Sequence, residues 1–257
     1  MINVKNIYKS FDNKVVLKDI STIFDKGKTN LIIGRSGSGK TVLMKTLIGL
    51  LRPDSGEILY GNRNLTSMNK NELKNLRREM GMLFQGSALF DSMTVLENVA
   101  FPLTMFTRES KKDREKRAKF CLERVNLTDA ESLTTGELSG GMMKRVAIAR
   151  AIALNPEYLF CDEPNSGLDP KTALLIDDLI HDITKEYNIT TVINTHDMNS
   201  VMNIGEKIIF IYEGEKAWEG TKDEIMTSSN KRLNDFVFAS DLFKKVKEAE
   251  TLLNEEG

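Results

Sequence analysis

The sequence GRSGSGKT at residues 34–41 gives the strongest indication of the fold of this 257-residue chain. It follows the short apolar run TNLII (residues 29–33) and precedes residues 40–50, in which apolar side chains recur at helical spacing. Small residues let backbone N–H groups curl round a phosphate at a helix start, Lys40 supplies a positive charge, and the Thr41 hydroxyl can bind Mg²⁺. The pattern predicts a strand, a phosphate-binding loop and a helix.

Three further apolar runs complete a predicted α/β core. The runs YLFC (residues 158–161) and TTVI (residues 190–193) are separated by an amphipathic helical pattern over residues 171–187, as strands of a buried parallel sheet require. A third strand is predicted at residues 80–84.

The segments around this core have different patterns. Short β-rich pieces at residues 2–7, 15–17 and 20–24, separated by turn residues, predict antiparallel structure before the first helix. Farther along, strand-like runs give way to helical patterns, including a charge-rich helix predicted at residues 111–124. We therefore expect an inserted helical subdomain at about residues 86–155.

After Trp218 the chain is predicted to be helical again, which divides it into a domain of residues 1–220 and an extension of residues 221–257. Residues 235–253 form a helical pattern with apolar positions at Phe236, Val237, Leu242, Phe243, Val246, Ala249 and Leu252. Packing of this helix on its own domain is favoured over a partner-binding role, which stays open.

Two carboxylates, Asp162 and Glu163, directly follow the run YLFC. An acid at the end of an apolar strand needs a cation or a shared proton to offset its desolvation. With the phosphate loop upstream, we predict that Asp162 holds Mg²⁺, and that Glu163 orients or deprotonates the attacking water. A strand-end turn or a helix cap would explain the same residues without catalysis.

The sequence LSGGM at residues 138–142 runs into a predicted helix at residues 143–154, which makes a second possible anion site. The order along the chain of the phosphate loop, Gln85, LSGG, the acidic strand end, Asp169 and His196 resembles the ABC ATPase family. This resemblance implies a P-loop NTPase fold with a RecA-like core sheet, an N-terminal antiparallel β subdomain and an inserted helical subdomain. It also implies hydrolysis of ATP with Mg²⁺.

The resemblance implies a role for each motif residue. Residues expected to bind the nucleotide are Phe11, Gly34, Arg35, Ser36, Gly37, Ser38, Gly39, Lys40, Thr41, Ser139, Gly140, Gly141 and Asp169. Residues expected to act in catalysis are Lys40, Gln85, Glu163 and His196, and those expected to hold the metal are Thr41, Gln85 and Asp162. Ser139 and Gly141 would close over the nucleotide of an opposite subunit, which implies a head-to-tail homodimer.

For some of these residues, a purely structural role would explain the sequence as well. Phe11 is expected to stack on adenine, but Tyr8 competes for that role, and an aromatic residue in a β-rich segment is usually part of the core. Gln85 matches a glutamine that contacts Mg²⁺ and reports to a membrane partner, although it could be a polar strand end. His196 matches a residue that contacts the γ-phosphate, although a lone histidine after a strand is normally structural. His181 matches no motif and is expected to lie on the surface.

Two longer stretches are similar to the ATPases of Mla-type phospholipid transporters: MLFQGSALF at residues 82–90 and LSGGMMKRVAIARAIALNP at residues 138–156. This similarity implies an MlaE-type permease as partner and an MCE-domain lipid-binding protein as an indirect one. It also implies a peripheral position on the cytoplasmic face of the bacterial inner membrane. An ABC importer for small solutes, or a soluble ABC ATPase of the iron–sulfur assembly type, stays open.

The composition of the chain argues against several classes of protein. The 36 Lys and Arg residues nearly balance the 37 Asp and Glu residues. Because the chain has almost no net charge, no overall electrostatic attraction would hold it on nucleic acid, and no nucleic-acid partner is expected. No apolar run approaches the roughly 18 to 20 residues of a membrane-spanning helix, and no signal peptide is expected. Cys121 and Cys161 sit in apolar surroundings, which predicts reduced, buried thiols, and no zinc site is expected from the sparse histidines.

Overall fold

The computed structural model describes residues 1–12 and 14–239. In these residues the strands are β1 (Ile2–Phe11), β2 (Lys14–Phe24), β3 (Thr29–Ile33), β4 (Ser55–Tyr60), β5 (Arg63–Asn64), β6 (Met80–Leu83), β7 (Tyr158–Asp162), β8 (Thr190–Thr195), β9 (Lys207–Tyr212) and β10 (Glu215–Gly220). The α-helices are α1 (Lys40–Leu47), α2 (Lys70–Arg78), α3 (Val95–Phe106), α4 (Lys111–Arg124), α5 (Gly140–Ile152), α6 (Pro170–Glu186), α7 (Met198–Ile204), α8 (Lys222–Thr227) and α9 (Lys231–Val237). None of these described helices is both long and apolar enough to cross a membrane.

The strands form two sheets. The larger sheet has the order β10-β9-β3-β8-β7-β6, with five parallel strands and β10 antiparallel at one edge. The smaller sheet is antiparallel, with the order β2-β1-β4-β5. This arrangement confirms the predicted α/β class, with a parallel core and a separate antiparallel sheet.

The core strand β3 is buried along its whole length and lies between β8 and β9. Leu31 and Ile33 pack into the apolar cluster on one face of the large sheet, and Ile32 packs into the cluster on the other. Successive side chains of a strand point to opposite faces, so a strand covered on both faces reads as a continuous apolar run. The phosphate loop therefore begins at the end of a central strand.

Helices α3, α4 and α5 pack against one another, and α5 also contacts β6. The predicted helix at residues 111–124 is confirmed as α4, whose N-cap Ser110 accepts a hydrogen bond from the N–H of Asp113 at 3.2 Å. The N-cap Thr94 begins α3 with a capping box that includes Glu97. The bounds of an inserted helical subdomain at about residues 86–155 stay a prediction.

Three features of the antiparallel sheet and the sheet edges differ from expectation. The pieces predicted at residues 15–17 and 20–24 form one strand, β2, in which Asp19 adopts a left-handed backbone with φ 52°. The antiparallel sheet also gains β4 and β5 from the chain after α1, and the large sheet gains β9 and β10. None of these four strands was predicted from the sequence.

The predicted first residue of the helix at residues 235–253 is wrong. Helix α9 begins at Lys231, because Asn230 caps it by accepting the N–H of Leu233 at 3.1 Å, and it ends at Val237. Ile225, Leu233 and Val237 are buried in the same cluster as Phe210 of β9, so this part of the extension packs on its own domain. The predicted apolar positions Leu242, Phe243, Val246, Ala249 and Leu252 lie outside the described residues.

Both cysteines are free and buried, as predicted. Burial raises the pKa of the Cys121 thiol to about 11, and it also raises that of Cys161. Both thiols therefore stay protonated and unreactive at neutral pH.

Candidate active site

The phosphate loop connects β3 to α1 and takes its shape from glycine. Gly34, Gly37 and Gly39 have φ of 150°, 78° and 110°, in the range that side chains disfavour. A Cβ at Gly34 would also lie 2.3 Å from the carbonyl oxygen of Ile211. The loop can therefore bring its backbone N–H groups close to an anion at the start of α1.

The loop opens into a cavity of about 500 Å³. The cavity is lined by Val16, Arg35, Ser36, Gly37, Gly39, Lys40, Thr41, Val42, Gln85, Glu163, His196 and Phe236. Tertiary structure thus brings the predicted Gln85, Glu163 and His196 to the phosphate loop. Val16 and Phe236, which also line the cavity, carry no sequence signal for a site.

Lys40 is the buried cation of the cavity, with 6% of its surface exposed. Its Nζ donates hydrogen bonds to the carbonyl oxygens of Gly34 (2.7 Å) and Arg35 (3.1 Å). Burial lowers the pKa of Lys40, while the nearby Glu163 and Asp162 raise it. The ammonium is therefore held at the loop, where a phosphate would meet it.

Two of the three side chains predicted to hold Mg²⁺, Thr41 and Asp162, lie beside one amide group. Asn194 Nδ2 donates to Asp162 Oδ1 at 2.6 Å and to Thr41 Oγ1 at 3.3 Å. Mg²⁺ prefers such hard oxygen ligands together with phosphate oxygens. The loop residue Ser38 also has a buried hydroxyl with no hydrogen-bond partner in the described residues. The residues present therefore fit Mg²⁺ bound together with a polyphosphate.

Glu163 is held in an unusual backbone conformation for its residue type, with φ 50°. Its N–H donates to the carbonyl oxygen of Asn194 at 2.9 Å, and its carboxylate oxygens lie 2.9 and 2.8 Å from His196 Nδ1. Such strain is typical of functional sites. The geometry points a carboxylate into the cavity and pairs it with the predicted histidine.

Helix α5 fixes the loop that carries Gln85. Lys144 Nζ donates to the carbonyl oxygen of Gln85 at 2.5 Å, and Arg150 donates to those of Ser87 and Ala88, each at 2.7 Å. Lys144 and Arg150 were not predicted as functional residues, because a basic residue on a helix gives no sequence signal of its distant acceptor. The helix that follows LSGG is thus connected to the Gln85 loop by three hydrogen bonds.

Ser139, Gly140, Gly141 and Asp169 do not line the cavity of their own chain. Ser139 Oγ caps α5 by accepting the N–H of Met142 at 3.2 Å, and Asp169 caps α6 by accepting the N–H of Thr172 at 3.0 Å. A second hydrogen bond, from the Thr172 hydroxyl at 2.5 Å, and then the bond from the Thr172 N–H lower the pKa of Asp169. Within one chain Ser139 and Asp169 are helix caps and the two glycines begin α5, and the nucleotide role of all four residues stays a prediction.

The structure leaves two aromatic candidates for adenine on β1. Phe11 and Tyr8 are about equally exposed, at 41% and 40%. Phe11 pairs with Lys14 at the end of β1 and lies beside the strand that carries Val16, whereas Tyr8 pairs with Ser55 of β4. Stacking on adenine by Phe11 stays a prediction.

The prediction that His181 lies on the surface is wrong. His181 is half-buried, and its Nδ1 lies 3.1 Å from Thr29 Oγ1 of β3. The contact spans 152 positions in the sequence, so no local pattern could have indicated it. His181 packs α6 against the large sheet.

A buried polar cluster connects the loop after Glu163 to helix α7. Asn165 Nδ2 donates to Asp177 Oδ1 at 2.8 Å and to Ser200 Oγ at 3.0 Å. Burial raises the pKa of Asp177 to about 6; the bonds from Ser200 and Asn165 oppose this, and Asp197 and Asp178 add to it. Asn165 had no assigned role from its sequence, and the structure places it at this junction.

Asp177→Asn should stabilise the protein more at pH 8 than at pH 4, by on the order of 2 to 3 kcal/mol. The folded-state pKa of Asp177 lies above the ~3.9 of an unfolded aspartate, so the wild-type protein loses stability through this group as pH rises from about 4 through 6. Urea unfolding of both proteins at the two pH values measures the difference. Asp182→Asn, at an exposed position of the same helix, is the control and should show no such difference between the two pH values. A pH-independent difference for Asp177→Asn would contradict the prediction.

Comparison with known proteins adds to this geometry. A family model described as ABC transporter matches residues 17–166. The methionine import ATP-binding protein MetN of Clostridioides difficile is 38% identical over 92% of this chain and 74% of its own length. The intermembrane phospholipid transport system ATP-binding protein MlaF of Haemophilus influenzae is 36% identical over 92% of this chain and 90% of its own length.

A solved structure is also similar. A dimeric ATP-binding cassette in a post-hydrolysis state, bound to ADP and Pi, has a TM-score of 0.78 and 34% identity, and covers 86% of this chain and 98% of its own. The identities to MetN and MlaF differ little, so Mla-type transporters are not singled out among the relatives. The chain therefore belongs to the ABC transporter family, as an ATP-binding subunit that hydrolyses ATP with Mg²⁺.

Proposed function

We propose that this chain is the ATPase of a phospholipid transporter, working as a homodimer with an MlaE-type permease and, indirectly, an MCE-domain lipid-binding protein. The observation that carries the lipid assignment is the sequence around Gln85 and LSGG, supported by 36% identity to a phospholipid-transport ATPase over 90% of that protein. We place the dimer at the cytoplasmic face of the inner membrane, with residues 1–220 as the ATPase domain and residues 221–257 as an extension.

Within the cavity, each residue has a proposed task. The phosphate loop and Lys40 bind the phosphates, and Thr41, Asp162 and Gln85 hold Mg²⁺, which when bound neutralises charge on the phosphate oxygens. Glu163 orients the attacking water and accepts its proton, because its carboxylate faces the cavity beside the loop. His196 holds that carboxylate through Nδ1 and contacts the γ-phosphate.

The head-to-tail dimer is supported by the position of the LSGG segment. Ser139 and Gly141 do not line their own chain's cavity, yet Ser139 and two glycines begin helix α5 with N–H groups suited to an anion. A second subunit would supply this helix start to the phosphate bound at the first. ATP binding then closes the dimer, and hydrolysis removes the bridging phosphate.

Ser139→Ala should reduce steady ATP turnover at least about 10-fold, while ATP binding by the isolated subunit changes less than about 2-fold. The reason is that Ser139 would contact only the nucleotide of the opposite subunit. Turnover assays and ATP titrations of the monomer measure the two effects. Ser110→Ala removes an equivalent cap from α4, with the same 3.2 Å bond, and should leave turnover unchanged. Equal losses in both variants would assign the effect to helix capping.

A groove beside the Gln85 loop is the proposed permease site. It is lined mainly by apolar side chains, with Arg77 and Arg150 among them, and Phe84 and Phe90 are each 40% exposed. Arg150 also holds the Gln85 loop, so a partner in the groove would act on the cavity through Gln85. An amphipathic segment of the permease fits this surface.

The proposal is tested by mild-detergent purification of the tagged chain from its native membranes, with mass spectrometry of co-purifying proteins and lipids. A polytopic permease, an MCE-domain protein and phospholipid are expected. Phe84→Arg should lose the permease, while Phe120→Arg, at a phenylalanine equally exposed on α4, should retain it. A purely soluble partner would refute the transport role.

A small-solute importer is the second candidate, favoured by the 38% identity to a methionine-import ATPase. It uses the same ATPase chemistry and the same groove. Recovery of a solute permease without an MCE-domain protein or phospholipid would establish it in place of lipid transport.

A further inference from the structure

Asn194 is a buried amide directly beside the site, and the proposed function gives it no role. It lies on β8, directly beside Asp162 of β7 in the parallel register, and is 1% exposed. Its Nδ2 donates to two of the three proposed metal ligands, Asp162 Oδ1 and Thr41 Oγ1. One side chain thus joins the start of α1 to the end of β7, which supply these two ligands.

Packing alone does not explain an asparagine at this position. Val192 and Ile193, the preceding residues of β8, are fully buried and apolar. The Oδ1 of Asn194 is buried without a hydrogen-bond partner in the described residues, which is unfavourable for an amide. An apolar side chain would avoid this cost, so the contacts of Nδ2 need a separate reason.

The backbone of Asn194 also contacts a residue of the active site. Its carbonyl oxygen accepts the N–H of Glu163, the residue with the left-handed backbone. Asn194 therefore contacts three residues with proposed functions, Thr41 at the end of the phosphate loop and Asp162 and Glu163 at the end of β7. It does not itself line the cavity.

We propose that Asn194 is a positioning residue that orients the Asp162 carboxylate and the Thr41 hydroxyl for Mg²⁺. By donating to one carboxylate oxygen of Asp162, the amide leaves the other oxygen available to bind the metal. By donating to Thr41 Oγ1, it limits rotation of the hydroxyl. Groups that hydrogen-bond to metal ligands in this way fix ligand orientation, and their loss typically weakens metal affinity about 10- to 100-fold. The inference rests on the proposed metal roles of Thr41 and Asp162.

The test measures how much a metal tightens nucleotide binding, without any turnover. Affinity for the non-hydrolysable analogue AMPPNP is measured on the full chain with Mn²⁺ and again in EDTA. In Asn194→Leu, which keeps the side-chain volume, the gain in affinity from Mn²⁺ should fall about 10-fold or more. The affinity in EDTA should change less than about 3-fold, since the phosphate loop is intact.

Matched variants separate the possible results. Asn194→Ala removes the amide without adding apolar volume, should show the same loss, and replaces Asn194→Leu if that variant does not fold. Thr191→Val removes a buried 2.6 Å hydrogen bond from the same strand, and should keep the full gain from Mn²⁺. A loss in Thr191→Val equal to that in Asn194→Leu would overturn the inference, because it would reflect damage to β8.

Asp162→Asn tests the underlying assignment. If Asp162→Asn loses the gain from Mn²⁺ and both Asn194 variants keep it, the role of Asn194 is wrong and the proposed metal ligand stands. If Asp162→Asn keeps the gain, the proposed metal ligand itself is wrong, and the role of Asn194 is refuted with it.

Discussion

Glu163→Gln should slow steady ATP turnover by about 10²- to 10⁴-fold, while ATP is still bound and a dimer accumulates. Glutamine has nearly the shape of glutamate, so the contacts around the phosphate loop are retained, but its amide cannot accept a proton from water. The Lys40 ammonium and the Thr41 hydroxyl are unaffected, so phosphate binding persists. With hydrolysis blocked, the phosphate that bridges the subunits would remain in place.

The measurement pairs a phosphate-release assay with size-exclusion chromatography in the presence of ATP and Mg²⁺. Glu213→Gln is a matched control, because Glu213 has the same φ of 50° but lies exposed in the turn between β9 and β10. It should hydrolyse ATP at the wild-type rate. Turnover by Glu163→Gln at the wild-type rate would exclude Glu163 as the proton acceptor.

Lys40→Ala should weaken ATP binding by about 100-fold or more. Lys40 is buried in the loop, and its ammonium is the charge that would neutralise the phosphates in a site largely removed from water. Turnover should fall with binding, in contrast to Glu163→Gln, in which binding is retained. Together the two variants separate phosphate binding from proton transfer.

Equilibrium titration with a fluorescent ATP analogue measures the loss. Lys45→Ala, an exposed lysine on the same helix α1, should bind ATP as the wild type does. Because Lys40 also donates to Gly34 and Arg35, thermal unfolding should be followed in parallel. Wild-type affinity in a folded Lys40→Ala protein would contradict the proposed phosphate contact.

Features that depend on adjacent residues in the sequence were predictable. The bounds of β3 and α4 match the predicted ranges, because a fully buried strand and a charge-rich helix with a serine cap each have a strong local pattern. The glycines of the phosphate loop were recognisable because their backbone angles exclude most other residues. Asp162 and Glu163 were recognisable as acids at the end of an apolar strand.

Contacts between distant segments were not predictable in the same way. Lys144, Arg150 and Asn194 are ordinary residues in their own segments, and only their acceptors on other segments reveal their roles. His181 was wrongly placed on the surface, because its partner Thr29 lies on another element. The strands β4, β5, β9 and β10 were also missed, although β9 has a local signal: the apolar run IIFIY is followed by a turn that contains Gly214.

The local sequence was sufficient to identify the phosphate loop, the acidic strand end and the LSGG helix start, because each depends on local backbone geometry and on the chemistry of adjacent residues. That Gln85, Glu163 and His196 meet at the loop, while Ser139 lies outside that cavity, became evident only in the folded chain. The same holds for the contacts of Asn194 with Thr41 and Asp162, two of the three proposed metal ligands. The physical reason is that strand order and helix packing result from burial of apolar faces across the whole chain, which no single segment encodes.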